Sequence, residues 1–222
     1  MASPFEKISQ PVENPRATRS TINAALAQYP DLTPDDLRDY LAMSDKETSH
    51  IEGIRAALTD AATLQLVEED KLTFGMIKPH REEATLVQGT DEEISNQVAA
   101  AIKSPLSLEV KQAIWIPTLT ARAFYSHLPE VVVARVAGFM SSGASTGLVL
   151  AKHDGNAVQE WRTQMGPTRA HEMPEESESL RSRFQTTRGV ANNVTHGSDS
   201  IQSVKNELEF FNQMLGVLTG KN

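Results

Sequence analysis

Apolar and polar positions follow one rhythm up to about residue 70 and another beyond it. In the first part, Ile51, Ile54 and Leu58 recur at the intervals of a helix. An earlier helix is predicted from Thr33, which precedes Pro34 as an N-cap residue precedes the first helical position. Residues 1–70 are therefore predicted to form an N-terminal arm and a helical extension.

Beyond Lys71, short alternating segments typical of strands are interleaved with segments of helical period. The order is β-α-β, a helical insertion, β-α-β and a terminal helix. It predicts an α+β domain over residues 71–222 with a four-stranded antiparallel sheet and helices on one face. The predicted strands are residues 72–79, 107–118, 145–152 and 189–195; the predicted helices are residues 91–103, 119–127, 130–141 and 155–165 and a last one with the stripe Ile201, Val204, Leu208 and Phe211; a long loop spans 166–188.

Composition narrows the class of protein. Cysteine is absent, which excludes disulfides and thiolate catalysis and is consistent with a cytoplasmic location. No run of apolar residues approaches the roughly 18 that cross a bilayer, and the polar first residues do not resemble a secretory signal. We therefore expect a soluble protein without a membrane partner.

Charge bears on the role of the N-terminal extension. Residues 1–70 carry 13 acidic and 6 basic residues, a net charge of −7, whereas residues 71–222 carry 16 and 15, a net charge of −1. The helix-turn-helix rhythm of the extension raises a nucleic-acid role, but phosphates would repel this charge. An oligomerisation or partner-docking module is the preferred interpretation.

The stretch "NVTHGSDS" offers candidate chemistry near the C-terminus. His196 is predicted at the end of the last strand, before Gly197, with Asp199 or Ser200 capping the next helix. From that helix Glu207 is able to reach back to an imidazole N–H and fix its tautomer. The histidine could then act as a nucleophile, although a lone histidine is more often an ordinary surface or core residue.

Basic residues gather around the long loop, and two interpretations of them stay open. Guanidinium groups match phosphate oxygens, so the cluster is compatible with anion recognition, with Lys78 as a further candidate. The alternative is salt bridging to glutamates of the same loop. The arginines are Arg162, Arg181, Arg183 and Arg188, and the glutamates are Glu172, Glu175, Glu176 and Glu178.

Five stretches, in this order, resemble the nucleoside diphosphate kinase family over residues 72 to about 215. They are "MIKP", "FYSH", "WRTQMGPT", "SLRSRF" and "NNVTHGSDS" followed by "NELEFF". The most specific is "HGSDS" with a glutamate eleven residues after the histidine. The other stretches are weaker singly, but their order and spacing support the same resemblance.

The resemblance implies a ferredoxin-like fold and a ping-pong phosphoryl transfer between nucleoside tri- and diphosphates through a phosphohistidine. Mg²⁺ would be held mainly by the phosphates, and homo-oligomers are expected. By the same resemblance, His196 is the nucleophile, Glu207 orients it and Ser198 supports it; Lys78 and Tyr125 meet the transferring group; Arg162, Thr168 and Arg181 grip phosphates; Asn193 and Lys78 reach the ribose; and Asp199 meets Mg²⁺ through water.

The chain departs from the family pattern at several positions. His80 stands where an aspartate is usual, and Ala170 replaces a proline. The aromatic residue that stacks on the base aligns with Val132, which leaves apolar contact from Val132 and Val190. A nucleotide-binding regulatory protein of the same fold with weak or no turnover is therefore the alternative function.

Overall fold

The computed structural model describes residues 4–5, 45–79, 91–168, 177–184 and 193–219. Several predictions fall outside these residues: the helix from Thr33, most of the N-terminal arm, and the positions of His80, Ala170, Glu172, Glu175, Glu176, Arg188 and Val190. Within the described ranges the strands are β1 Leu72–Ile77, β2 Ser107–Ile114, β3 Ser145–Ala151 and β4 Thr195–Gly197. The helices are α1 Asp45–Leu58, α2 Ala61–Glu68, α3 Asp91–Ala100, α4 Thr118–Phe124, α5 Glu130–Met140, α6 Ala157–Met165, α7 Leu180–Phe184 and α8 Ile201–Thr219.

The four strands form one antiparallel sheet in the order β2-β3-β1-β4. The predicted antiparallel α+β fold is therefore confirmed. None of the helices in the described ranges is both long and apolar enough to cross a membrane.

Helices cover both faces of the sheet, so the expectation of helices on one face is wrong. Every residue of β1 is buried, and so are six of the seven residues of β3, which requires cover on both sides. On one face, Ile77 packs with Trp161 of α6 and with helices α3 and α7. On the other, Phe74 lies 5.5 Å from Phe211 of α8, ring centre to ring centre.

The last strand is shorter and later than predicted. It comprises three residues, Thr195–Gly197, which pair with β1 from Gly75 to Ile77, instead of residues 189–195. One more backbone bond follows, from Lys78 N to Val194 O at 2.9 Å. Pro79, the next residue, has no N–H to donate, so the hydrogen-bond ladder between β1 and the residues that precede β4 ends here.

A short helix, α7, lies inside the segment predicted as a long loop. Ser179 precedes it, and its hydroxyl accepts a hydrogen bond from Ser182 N at 3.3 Å, which is the pattern of an N-cap. Leu180 and Phe184 are buried on its inner side. This helix presents Arg181 toward β4.

The helical extension packs onto the terminal helix of the sheet domain. Ile51, Ile54 and Leu58, the predicted stripe of α1, are all buried in the same core as Phe211 and Leu215 of α8. Polar contacts accompany this packing, since Arg55 Nε donates to Asn212 Oδ1 at 3.1 Å and Lys205 of α8 pairs with Glu68 of α2.

Asp70, at the end of the extension, caps a distant helix. Its backbone oxygen accepts from Ala157 N at 2.8 Å, and its carboxylate accepts from Val158 N at 3.1 Å. These are the first two residues of α6, whose own N-cap residue, Asn156, makes no side-chain cap bond. Asp70 therefore orients the helix that carries Trp161.

We expect Asp70→Ala to lower the free energy of unfolding by about 2 kcal/mol, since it removes a cap and leaves alanine at a positive φ. The φ of Asp70 is 50°, a conformation that asparagine tolerates. Asp70→Asn keeps an acceptor oxygen and is the matched control. Urea unfolding of the three proteins measures the effect, and equal losses in both variants would contradict the capping role.

Candidate active site

His196 is the middle residue of β4, whereas the sequence predicted it at the end of the last strand. It lies opposite Met76 of β1, so both side chains project to the face that α8 covers. Thr195 and Gly197, its neighbours, face the opposite side. The imidazole is partly buried, with 19% of its side chain exposed.

Gly197 is required by the close approach of Trp161 from the other face. A Cβ atom at Gly197 would lie 2.4 Å from Trp161 Nε1, far inside van der Waals contact. The indole N–H donates to the backbone oxygen of His196 at 3.3 Å. The glycine thus allows the close approach of a tryptophan ring to the backbone of the histidine strand.

Glu207 lies directly against the imidazole. Its Oε1 is 3.0 Å from His196 Nε2, but Nε2 has no hydrogen-bond partner among the described residues, so the contact is electrostatic and poorly aligned. The other carboxylate oxygen accepts from the buried Ser198 hydroxyl at 2.7 Å. A carboxylate beside Nε2 favours the tautomer with the proton on Nε2, which leaves the lone pair on Nδ1.

The start of α8 carries Ser200 and Asp199. Ser200 is the cap, since its hydroxyl accepts from Ser203 N at 3.1 Å. The Asp199 carboxylate accepts from the hydroxyls of Ser203 and Ser200. The hydrogen bond from Ser203 is the main cause that lowers the pKa of Asp199, and the charge of Arg162 acts in the same direction.

Two aromatic residues at the end of α4 contact the imidazole. The ring centre of Tyr125 lies 6.2 Å from that of His196 and the ring centre of Phe124 lies 5.3 Å from it, both in edge arrangements. The Tyr125 hydroxyl is buried without a hydrogen-bond partner in the described ranges. Burial, and next the charge of Glu207, raise the pKa of Tyr125, so it stays a donor. The sequence did not single out Phe124, whose only signal was its place before Tyr125.

Lys78 follows β1 on the same face as Met76 and His196. It is buried, and its Nζ donates to Asn193 Oδ1 at 2.9 Å. Burial, and secondarily the charge of Arg181, lower the pKa of Lys78 to about 7. A bound anion would therefore favour the protonated form of this lysine.

Arg181 is buried and held by neutral oxygen atoms. Its guanidinium donates to Gly166 O at 2.8 Å, Thr168 Oγ1 at 3.2 Å and Thr195 O at 2.9 Å. Its Nε has no partner within the described residues. Burial, and next the charge of Arg162, lower its pKa to about 10.

Glu178, the one loop glutamate among the described residues, does not support the interpretation that the loop arginines form salt bridges with these glutamates. Glu178 pairs with Lys103 at 3.1 Å instead. The other three loop glutamates and Arg188 lie outside the described residues, and Arg183 lies over the ring of Phe184. Arg181 thus keeps its positive charge among carbonyl and hydroxyl oxygens.

A cavity of about 320 Å³ adjoins β4 at Arg181. Arg162, Thr168 and Arg181 line it, together with Gln159, Thr163, Met165, Gly166 and Pro167. No acidic residue is among these lining residues, so the cavity suits an anion. Lys78 does not line it; this lysine follows β1 on the face of the sheet that carries His196.

The structure thus gathers most of the residues that the sequence singled out. His196, Glu207, Ser198 and Tyr125 form one cluster, flanked by the Lys78–Asn193 and Arg181–Thr168 pairs. Val132, the expected base contact, is 38% exposed on α5 and is not part of this cluster. Val190, its expected companion, lies outside the described residues.

Comparison with known proteins places this geometry in a family. The family model described as nucleoside diphosphate kinase matches residues 71–215. "Nucleoside diphosphate kinase 6" of Danio rerio is 32% identical over 149 residues, which cover 67% of this chain and 79% of that protein. The Homo sapiens protein of the same name is 31% identical, with 68% of this chain and 77% of that protein covered.

A bacterial relative and a solved structure agree with this match. The nucleoside diphosphate kinase of Chloroherpeton thalassium is 30% identical, with 63% of this chain and 90% of that protein covered. The crystal structure of the Aquifex aeolicus nucleoside diphosphate kinase is 24% identical and superposes with a TM-score of 0.52. It covers 64% of this chain and 94% of that one, and supports the fold.

We predict that Lys78→Met changes the pH dependence of stability. The folded-state pKa of about 7 lies below the ordinary value of about 10.4, so the unfolded state binds more protons between these values. The native protein therefore gains stability as pH rises from about 7 to about 10, and the methionine variant lacks this gain. Urea unfolding at about pH 6 and about pH 9 measures it. A difference between the two proteins that does not change with pH would contradict the shifted pKa.

Proposed function

Because this chain belongs to the nucleoside diphosphate kinase family, we propose that it transfers the terminal phosphate of a nucleoside triphosphate to a nucleoside diphosphate through His196. The observation that carries the proposal is the 3.0 Å contact of Glu207 with Nε2, in a site whose nearby cations are Lys78 and Arg181. That contact leaves Nδ1 as the nucleophilic nitrogen.

The proposed reaction has two half-reactions. In the first, the Nδ1 lone pair attacks the terminal phosphorus, an N–P bond forms, and the P–O bond to the nucleoside diphosphate breaks. The proton stays on Nε2, where the Glu207 carboxylate stabilises the positive charge that develops on the ring. In the second, a terminal oxygen of an incoming nucleoside diphosphate attacks the same phosphorus, the N–P bond breaks, and its electron pair returns to Nδ1 to restore the neutral imidazole.

The cations would stabilise the charge on the phosphoryl oxygens. Phosphoryl transfer asks the protein chiefly to position reactants and to stabilise equatorial oxygen atoms. Lys78 lies on the face of His196, and the Tyr125 hydroxyl and Arg181 Nε are buried donors without partners in the described part of the chain. Each buried donor without an acceptor lowers the free energy of unfolding by about 1–3 kcal/mol, unless a ligand accepts a hydrogen bond from it. A phosphate chain provides such acceptors.

Mg²⁺ is part of the proposal as an ion carried by the nucleotide. No group of three or more His, Cys, Asp or Glu residues in the described ranges is arranged to hold a metal alone. The exposed Asp199 carboxylate, whose pKa is lowered, fits a weaker role in which it meets the ion through water. The ion would neutralise part of the phosphate charge. Association of the chain with further copies stays a prediction.

A nucleotide-binding regulatory protein is the second candidate. The exposed Val132 on α5 offers no aromatic ring for stacking on a base, and base–aromatic stacking is worth about 1–3 kcal/mol. A protein that binds nucleotides through phosphate and ribose contacts alone would retain the fold and turn over slowly.

We expect incubation with [γ-³²P]ATP and Mg²⁺ to label the protein with a phosphate that is labile in acid and stable in alkali. The label should be absent in His196→Ala and present in His153→Ala, a matched variant of an exposed histidine. Addition of a nucleoside diphosphate should remove the label, and steady-state kinetics should be ping-pong. Nucleotide binding without any label would favour the regulatory protein.

Glu207→Gln should slow the labelling step by at least about tenfold, because the amide keeps the shape of the carboxylate but loses its charge. Rapid-quench measurement of label formation tests this, with thermal unfolding as the check that the variant is folded. A rate equal to that of the native protein would show that Glu207 does not act through its charge.

A further inference from the structure

Phe124 touches His196 although no part of the proposed chemistry uses it. It is the last residue of α4, directly before Tyr125, and is partly buried. Its ring centre lies 5.3 Å from the imidazole centre with an angle of 70° between the planes, closer than the ring of Tyr125 at 6.2 Å. Edge contacts between aromatic rings prefer a defined geometry.

Phe124 is itself supported from the terminal helix. The ring of Phe210 lies 4.5 Å from it, centre to centre, at 46°. Phe210 follows Glu207 by three residues on α8, so one face of this helix presents both the carboxylate that meets Nε2 and the ring that backs Phe124. The imidazole therefore contacts α8 directly through Glu207 and indirectly through Phe124.

Glu207 alone does not determine the rotation of the imidazole. Its contact with Nε2 is 3.0 Å long but does not form a hydrogen bond, so it attracts the ring without fixing its plane. The torsion that turns a histidine ring about its bond to Cβ has a broad energy profile, so packing has to select the angle. Phe124 and Tyr125 are the aromatic rings that supply that packing among the described residues.

From these contacts we infer that Phe124 is a positioning residue, whose ring holds the plane of His196 so that Nδ1 faces the phosphate side and Nε2 faces Glu207. The inference rests on the proposed function for its kinetic consequence only. The plane and tautomer of the imidazole are properties of the protein without nucleotide. A misplaced nucleophile lowers the rate of transfer more than it weakens nucleotide binding. Besides Phe210, the rings that Phe124 packs against are those of His196, at 5.3 Å, and Tyr125, at 4.8 Å, and both of these residues are proposed to meet the transferring group.

The test replaces Phe124 with leucine, which keeps an apolar side chain but removes the planar ring. The label-forming step with ATP should slow by about ten- to hundredfold, the effect of a nucleophile displaced by about 1 Å, with KM for ATP unchanged within about twofold. Phe124→Tyr, which keeps the ring, should restore most of the rate. If the leucine variant does not fold, Phe124→Met, closer in volume, replaces it.

A matched control separates positioning from loss of core packing. Phe139→Leu removes a ring from α5 in the same core, where Phe139 is 8% exposed. Among the described residues, the rings that pack against His196 are those of Phe124 and Tyr125, not that of Phe139. It should lower the melting temperature without changing the labelling rate at a temperature where it is folded. Equal slowing in the two leucine variants would overturn the inference, as would an unchanged rate in Phe124→Leu.

Nitrogen-15 NMR of the histidine rings gives a readout that needs no turnover. In the native protein without nucleotide, at a pH where the ring is neutral, the His196 signals should show a proton on Nε2 and a lone pair on Nδ1. Phe124→Leu should shift both signals toward the average of the two tautomers, and Phe139→Leu should not. If ATP labels no protein at all, the proposed function fails, yet these spectra still decide the inference: unchanged signals in Phe124→Leu overturn it.

Discussion

Three residues of β4 pair with Gly75, Met76 and Ile77 of β1, and this pairing fixes the direction in which His196 points. Because side chains alternate along a strand, the histidine shares a face with Met76 and is directed toward α8. A shift of one residue would turn it toward Trp161 instead. The tryptophan contributes to preventing that shift, since its ring occupies the space beside Gly197 and its N–H bonds to the backbone of His196.

The electrostatics of the site follow from the burial of two basic side chains. Lys78 and Arg181 are buried beside neutral oxygen atoms, and burial lowers the pKa of both. Burial of a charge costs free energy, and a bound anion would offset part of that cost. The Glu207 carboxylate instead lies against His196 Nε2 and accepts a hydrogen bond from Ser198.

The helical extension contacts the elements that carry the site. The apolar stripe of helix α1 packs in the same core as α8, the helix that carries Glu207. Asp70 caps α6, the helix that carries Trp161. Helices α8 and α6, which cover the two faces of β4, are thus both in contact with residues that precede the sheet. The placement of α6 depends on these bonds, because its own N-cap residue makes no side-chain cap.

The sequence alone determined the order of the four strands, the cap of α8 and the spacing of His196 and Glu207. Periodicity, caps and spacing are local properties that one segment expresses by itself. Ser200 as the helix cap and the buried stripe of α8 belong to this class. The tertiary structure decided the end of β4, the cover on both faces, the burial of Lys78 and the contact of Phe124 with the histidine. These depend on which distant surfaces meet, and the chain encodes that only through the packing of the whole core.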